Sequence, residues 1–509
     1  MKAVKFLSSL LTLVLFSNAI AQTEDTLEQV ACIPCQEIAN IRMPDVTITQ
    51  AEQVTEPVPH CKVTGIIGSE INFELLLPEK WNSRFAMGGG GGFVGSVQNM
   101  AASSITNGYA TAGTDTGHKG HGLKADWALN NMERQVNFGH LAVHRTAVTS
   151  KAIIENYYCS PVSYSYFMGC SRGGGQAMME AQRYPGDFDG IVTGAPAFNW
   201  PALAAEFIQN SQAIYPDPDS LNHPVVTLAN LKLLHDLVLE LCDASDGVRD
   251  SIINDPRDCR LEDMMFPLCK NDTHADDCFT KEQLEAIKVV YSGVNLEDRE
   301  VYPGFPPGGE NEPGGWQPWI TGPLGGPMAA GFPSAQFGFG TEVFKYLIFQ
   351  DPEWDYSTYD FSDFANTTQY ASSYLDATST DYSEFKERGG KMIIYHGWND
   401  PALSAYATIN HYEQVKSKDP DAENFLRLFL LPGVLHCGGG PGPSQVDWIE
   451  LIRNRVENGT APERVILSKM EGGNIVMTRP VFPYPGRAIY DGKGDPNNQE
   501  SFEPAGTTE

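Results

Sequence analysis

The chain has 509 residues, of which 35 are Lys or Arg and 64 are Asp or Glu, giving a formal net charge of −29 at pH 7. A field of that sign repels phosphate backbones, so nucleic acid is not an expected partner, and solubility is the plainest use of the acidity. The length exceeds what one compact core usually organises, so one large domain carrying a big insertion, or two domains, is expected.

The first residues read Met-Lys-Ala-Val-Lys, followed by an apolar stretch from Phe6 to Phe16 and by Ala19-Ile-Ala21. This is the layout of a secretory signal peptide, residues 1–21, cleaved near Ala21. The apolar stretch is shorter than the roughly 20 residues that span a bilayer, so no membrane partner is expected and the mature chain is read as secreted or periplasmic. Ten cysteines, Cys32, Cys35, Cys61, Cys159, Cys170, Cys242, Cys259, Cys269, Cys278 and Cys437, form an even set in an exported chain. That favours disulfides over metal thiolates, although counting does not give connectivity.

In chain order, Ile71 to Leu77 alternates as an antiparallel strand does, and the chain then enters the glycine run Gly88 to Gly92. Helical spacing starts at Leu141. A strand at Tyr164 to Met168, a glycine-rich turn, a helix through Ala177 to Tyr184 and a strand at Gly190 to Thr193 follow. This alternation predicts an α/β fold with a mainly parallel sheet. Between Asn199 and Asp381, Pro, Gly and aromatics become dense and the βαβ rhythm stops. The rhythm resumes with strands at Lys391 to Tyr395 and Phe425 to Leu431 and helices at Ala405 to Val415 and Val446 to Val456. The expected organisation is a core in two parts, 22–198 and 381–509, split by a lid domain at 199–380. The tail after Pro483 is expected to be extended surface chain.

Gly169-Cys-Ser-Arg-Gly173 satisfies Gly-x-Ser-x-Gly between an apolar strand and a helix, the context that lifts a serine hydroxyl above the sheet of an α/β-hydrolase. A serine needs a histidine base held by a carboxylate, and in this fold the chain order is Ser, then Asp or Glu, then His. Asp400 follows one late strand and His436 follows the next, so Ser171, Asp400 and His436 are the expected catalytic triad. His396, His411, His140 and His144 compete for the base, but only His436 follows a strand in the right order. Cys170 precedes the serine and Cys437 follows the histidine; a cystine between them would force the two loops together, since bridged α-carbons lie about 4.4–6.8 Å apart. One oxyanion donor should be the backbone of Arg172, directly after the nucleophile, and the other should come from Gly88 to Gly92.

The pairs Cys170-Ser171 and His436-Cys437 with Asp400, the segment Trp81-Asn-Ser-Arg-Phe85 before the glycine run, and Gly194-Ala-Pro196 resemble the tannase and feruloyl esterase family. That resemblance implies an α/β-hydrolase fold with a large inserted lid. It also implies a structural calcium ion in the lid loop Cys242 to Ile252, with Asp243, Asp246 and Asp250 giving carboxylates and Val248 and Ile252 giving carbonyls. Three closely spaced carboxylates around a glycine turn suit a hard cation that takes about 6–8 oxygen ligands. The resemblance further implies the disulfides Cys242 to Cys259 and Cys269 to Cys278, and Gly91 as the second oxyanion donor. Cys32, Cys35, Cys61 and Cys159 remain unassigned.

The expected reaction is acyl transfer through an acyl-serine, with no organic cofactor. Lid aromatics such as Trp316, Trp319, Phe332, Phe337 and Phe339 could sandwich a phenolic ring or pack the lid. From Val301 to Phe385 there is no arginine, and Lys345 is the one Lys or Arg. A free terephthalate carboxylate favours an arginine fork, whereas ferulate presents hydroxyl and methoxyl groups, so feruloyl or other hydroxycinnamoyl esters, small or attached to plant polysaccharide, are the expected substrates. Arg172, Arg249, Arg257, Arg260 or Arg299 could still supply such a fork. The alternatives are hydrolysis of mono(2-hydroxyethyl) terephthalate or of galloyl esters and, from another class, a non-catalytic binding protein on a hydrolase fold.

Overall fold

The structure is a computed structural model that describes residues 29–297, 299–326 and 329–505. The expected signal peptide, residues 1–21, lies outside the described residues. Nine strands form the main sheet: β1 (Val46–Val54), β2 (His60–Ile67), β3 (Ile71–Pro78), β4 (Arg84–Gly88), β5 (Ala110–Thr114), β6 (Tyr164–Ser171), β7 (Gly190–Pro196), and, after a lid hairpin of β8 (Val294–Leu296) and β9 (Arg299–Tyr302), β10 (Lys391–Gly397) and β11 (Leu426–Leu431). Their order is β1-β2-β3-β5-β4-β6-β7-β10-β11. The β1/β2, β2/β3 and β3/β5 pairs are antiparallel. From β5 onward every pair is parallel.

The sequence pattern follows from this division. In β3 every second side chain, Ile71, Phe73, Leu75 and Leu77, is buried, as in an antiparallel strand with one wet face. β7 is buried at all of its positions because helices cover both faces of the parallel part. The helix Ala142–Tyr158, entered through a π-helical turn at Asn137–Leu141, and the helix Arg172–Arg183 lie on the face of Ile191, and the helix Trp448–Asn458 covers the face of Val192.

Among the described residues between β7 and β10 no segment joins the main sheet. The interval holds helices Trp200–Ile214, Leu228–Cys242, Lys281–Ser292, Ala335–Glu342 and Phe364–Leu375. Two of these start with full capping boxes, Thr227 with Asn230 and Thr280 with Gln283, which satisfy the first backbone donors locally. The apolar core of this region is continuous with the sheet side: Phe93 and Phe138 cluster with Trp200, Phe207 and Phe337.

Cys32 pairs with Cys159 and Cys35 with Cys61, which assigns the four cysteines left open by sequence. Cys242–Cys259 and Cys269–Cys278 pair as the resemblance implied. The tail differs from expectation. After the hairpin β12 (Val465–Glu471) and β13 (Asn474–Val481), β14 (Arg487–Tyr490) pairs antiparallel with β15 (Phe502–Ala505). Ala488 and Phe502 are buried, and these side chains hold the tail on the body. Among the described residues no helix is long and apolar enough to cross a membrane.

Candidate active site

Ser171 is the last residue of β6 and sits at φ 64°, ψ −124°, a conformation that a non-glycine residue holds only when its surroundings enforce it. Two glycines show what enforces it. A Cβ on Gly169 would lie 2.3 Å from the carbonyl oxygen of Gly173, and one on Gly174 would lie 2.2 Å from that of Gly194. The turn is closed this tightly because the helix Arg172–Arg183 packs directly on β6 and β7, which leaves the serine at its N-terminus.

Asp400 lies just beyond β10 and is fully buried. Its Oδ1 accepts the N–H groups of Ala402 (2.8 Å) and Leu403 (3.0 Å). Its Oδ2 lies 2.8 Å from His436 Nδ1 and 3.3 Å from His396 Nε2. Burial works to raise the Asp400 carboxyl, but the charge of His436 and the hydrogen bonds of both histidines outweigh it and hold the group below the ordinary carboxylate range. His436 follows β11, and the Cys170–Cys437 disulfide, with α-carbons 5.9 Å apart, ties its loop to the serine turn.

Ser171 and His436 line one pocket with Gly92, Ala197, Trp200, Leu203, Phe207, Trp319, Phe339, Ala402 and Leu403. The indole of Trp319 stands edge-on to the His436 ring at 5.0 Å and stacks with Phe339 at 6.3 Å. The other aromatics named from sequence pack elsewhere: Trp316 and Phe337 are buried in the lid core, and Phe332 lies under the Lys124 ammonium at 3.8 Å. The N–H of Gly91 donates to Gln98 Oε1 at 2.8 Å, as that of Gly90 does to Gln176 Oε1 at 3.1 Å, and Gly92 lines the pocket. Gly92 has φ 56°, and a Cβ there would lie 2.4 Å from the Gly122 carbonyl. Nothing in the run of identical glycines distinguishes these roles; the glutamines that fix the register lie elsewhere in the chain.

Arg172 also borders the pocket, but its guanidinium is buried over the Phe138 ring, 4.3 Å from the centroid. It donates to the carbonyls of Phe138 and Gly139, and burial lowers its pKa to about 9. The competing histidines have other partners: His396 bonds Thr408 and Leu403, His411 bonds Tyr382, His140 bonds Tyr184, and His144 bonds Asp187.

The carboxylates of the lid loop are tied to its backbone N–H groups. Asp243 and Asp246 are buried, and Asp246 Oδ2 has no hydrogen-bond partner. Asp243 Oδ1 accepts from Asp250 N at 3.3 Å, while Asp250 Oδ1 accepts from Ile252 N at 3.1 Å. Burial, followed by the charges of Asp250 and Asp243, raises the Asp246 carboxyl to about 6 even though Val248 N donates to it. A cation would remove that penalty. Arg479 holds Asp250 Oδ2, and Asp246 Oδ2 is the loop carboxylate oxygen buried without a partner.

A sheet that turns parallel after its first strands, a strained serine between strand and helix, and an Asp–His pair in the next loops define an α/β-hydrolase. Comparison with known proteins narrows the class. The chain belongs to the tannase and feruloyl esterase family, whose model matches residues 54–505. It is 31% identical to mono(2-hydroxyethyl) terephthalate hydrolase of Piscinibacter sakaiensis, covering 87% of this chain and 84% of that protein. It is 30% identical to feruloyl esterase B of Aspergillus niger, covering 95% and 94%. The solved structure of feruloyl esterase B from Aspergillus oryzae superposes with a TM-score of 0.82 at 26% identity, over 92% of this chain and 99% of that one. The protein is a carboxylic ester hydrolase.

Proposed function

We propose that the protein is an exported serine esterase that cleaves feruloyl and other hydroxycinnamoyl esters. His436 takes the proton of Ser171 as its oxygen attacks the ester carbonyl; the imidazolium returns that proton to the leaving alcohol, and water then releases the acid with the same base. Asp400 fixes the His436 tautomer from below. The backbone N–H groups of Arg172 and Gly92 receive the oxyanion, each such donor contributing about 3–4 kcal/mol to the transition state. Asp243, Asp246 and Asp250 with the carbonyls of Val248 and Ile252 hold a structural calcium ion, which supplies positive charge to a loop otherwise crowded with carboxylates.

The observation that carries the acyl preference is the pocket wall. Trp319 and Phe339 line the pocket beside His436, and the guanidinium of Arg172 on the lining is turned into the body and bonded to carbonyls. A neutral phenolic ring suits such a wall, whereas a free terephthalate carboxylate would lose its hydration without a partner. The test compares kcat/KM on methyl ferulate, a gallate ester, mono(2-hydroxyethyl) terephthalate and a short-chain nitrophenyl ester, for wild type and Trp319→Ala. Methyl ferulate should rank first among the three aromatic acyl substrates. The variant should lose about tenfold on it and little on the nitrophenyl ester, since an aromatic pair is worth about 0.5–1.5 kcal/mol beyond its buried area. A preference for the terephthalate ester, or an equal loss on all four, would overturn the assignment.

A further inference from the structure

Three ligating side chains converge at the far end of the nucleophile helix, away from the pocket. His144 lies on the helix Ala142–Tyr158, Glu180 on the helix Arg172–Arg183, and Asp187 between that helix and β7. One ligand atom from each lies within 4.8 Å of the others. His144 Nδ1 is 2.6 Å from Asp187 Oδ2, and its ring stacks on Tyr184 at 3.9 Å with an interplanar angle of 9°, which fixes the edge it presents.

Glu180 is 1% exposed, and no donor group reaches either of its carboxylate oxygens, which lie against the Asp187 carboxyl. A buried carboxylate in that position must be neutralised by a proton or a cation. Lys151, whose charge acts on Glu180, directs its ammonium to the backbone carbonyl of Asp187 and not to the Glu180 carboxylate, and the ring Nδ1 of His140 is paired with the Tyr184 hydroxyl at 2.7 Å. Arg183 gives Nη2 to the Ser373 carbonyl at 2.6 Å.

We propose that His144, Glu180 and Asp187 bind a divalent transition-metal ion of the zinc type. One imidazole nitrogen and two carboxylates form the mixed donor set such ions prefer, at about 2.0–2.2 Å from each donor, and the nitrogen selects against calcium. The His144 and Asp187 side chains are 29% and 13% exposed, so the ion has an entry path and room for water in its remaining position. Glu180 lies nine residues beyond Ser171, about 13 Å along the helix at 1.5 Å per residue, so the ion takes no part at the reacting atoms. It staples the nucleophile helix to its neighbour and to the turn before β7.

The test strips the purified, disulfide-bonded protein of metal, restores calcium to saturate the acidic lid loop, and titrates zinc by calorimetry. Wild type should bind one equivalent that is weakened at least about tenfold in His144→Ala and in Glu180→Gln, with circular dichroism and ester hydrolysis of the zinc-free variants close to wild type. No zinc binding, or binding equal in both variants and wild type, would overturn the site. Should the variants fail to fold, X-ray absorption of zinc-loaded wild type decides. An imidazole nitrogen in an otherwise oxygen shell supports the site, and a shell without imidazole contradicts it.

Discussion

At Asp400 two backbone N–H groups meet one carboxylate oxygen and two histidines face the other. An amide presents N–H on one side only, so Asp400→Asn would face His436 with a donor and turn the ring to the wrong tautomer. The expected result is a fall in kcat of about 10⁴-fold with the far-UV circular dichroism retained. Stability should follow the same group. Its folded pKa is below the ordinary value of 3.8, so its contribution is present above that value and is lost as pH falls through the folded pKa. Wild type should therefore lose an increment of Tm below about pH 4 that the asparagine variant does not lose. His396 was visible in the sequence only as a histidine four residues before the acid. Its second contact to the carboxylate depends on Thr408 and Leu403, which the chain brings round it after the strand has ended.

The two ends of the lid are joined at an acid near its exit. Asp376 Oδ1 accepts from Trp200 N at 3.0 Å, at the first residue of the lid's first helix. Burial raises this carboxyl to about 7. A raised acid gives stability that is full below its unfolded pKa of about 3.9 and is lost as pH climbs through the folded value. Asp376→Asn keeps an oxygen for Trp200, so its Tm should exceed wild type at pH 8 and match it near pH 4. At the site itself, the disulfide Cys170–Cys437 closes a separation of 267 residues and holds the serine and histidine loops together. Its removal in Cys170→Ala/Cys437→Ala should destabilise by about 2–5 kcal/mol and lower kcat on every ester. The parallel strands β6, β7, β10 and β11 were legible because a strand buried on both faces is an apolar run bounded by turn residues. β14 and β15 were not, since each is four residues long in a Gly-, Pro- and Asn-rich stretch and is held by partners elsewhere. The partners of the glycine N–H groups were not legible for the same reason: Gln98 and Gln176, outside the glycine run, take those of Gly91 and Gly90.

Across the whole molecule the acidic lid loop, the tail and the histidine loop form one connected unit. Arg479 on β13 holds Asp250 and lies over Phe502 of β15 at 4.5 Å, while Asn254 donates to the Ala488 carbonyl of β14 at 2.7 Å. On the other side Ile252 abuts Gly433, where an added Cβ would come within 3.1 Å of it, three residues before His436. If the loop holds calcium, chelation should lower Tm and activity together and calcium should restore both; an ion at 100 times its Kd contributes about 2.7 kcal/mol. An unchanged Tm in excess chelator would count against that ion. The fold class was readable from the alternation of strands and helices, and the Ser, Asp, His order from the placement of each residue just after a strand of that fold. The pocket wall was not, since Trp319 shares its composition with lid aromatics that pack inward. The most direct measurement is to treat the protein with a fluorophosphonate and locate the adduct by peptide mass spectrometry while following hydrolysis of methyl ferulate. The account predicts one adduct per chain, on Ser171, with activity lost in proportion and no adduct on Ser171→Ala. Full activity after labelling, or inactivation by an adduct on another residue, would contradict it.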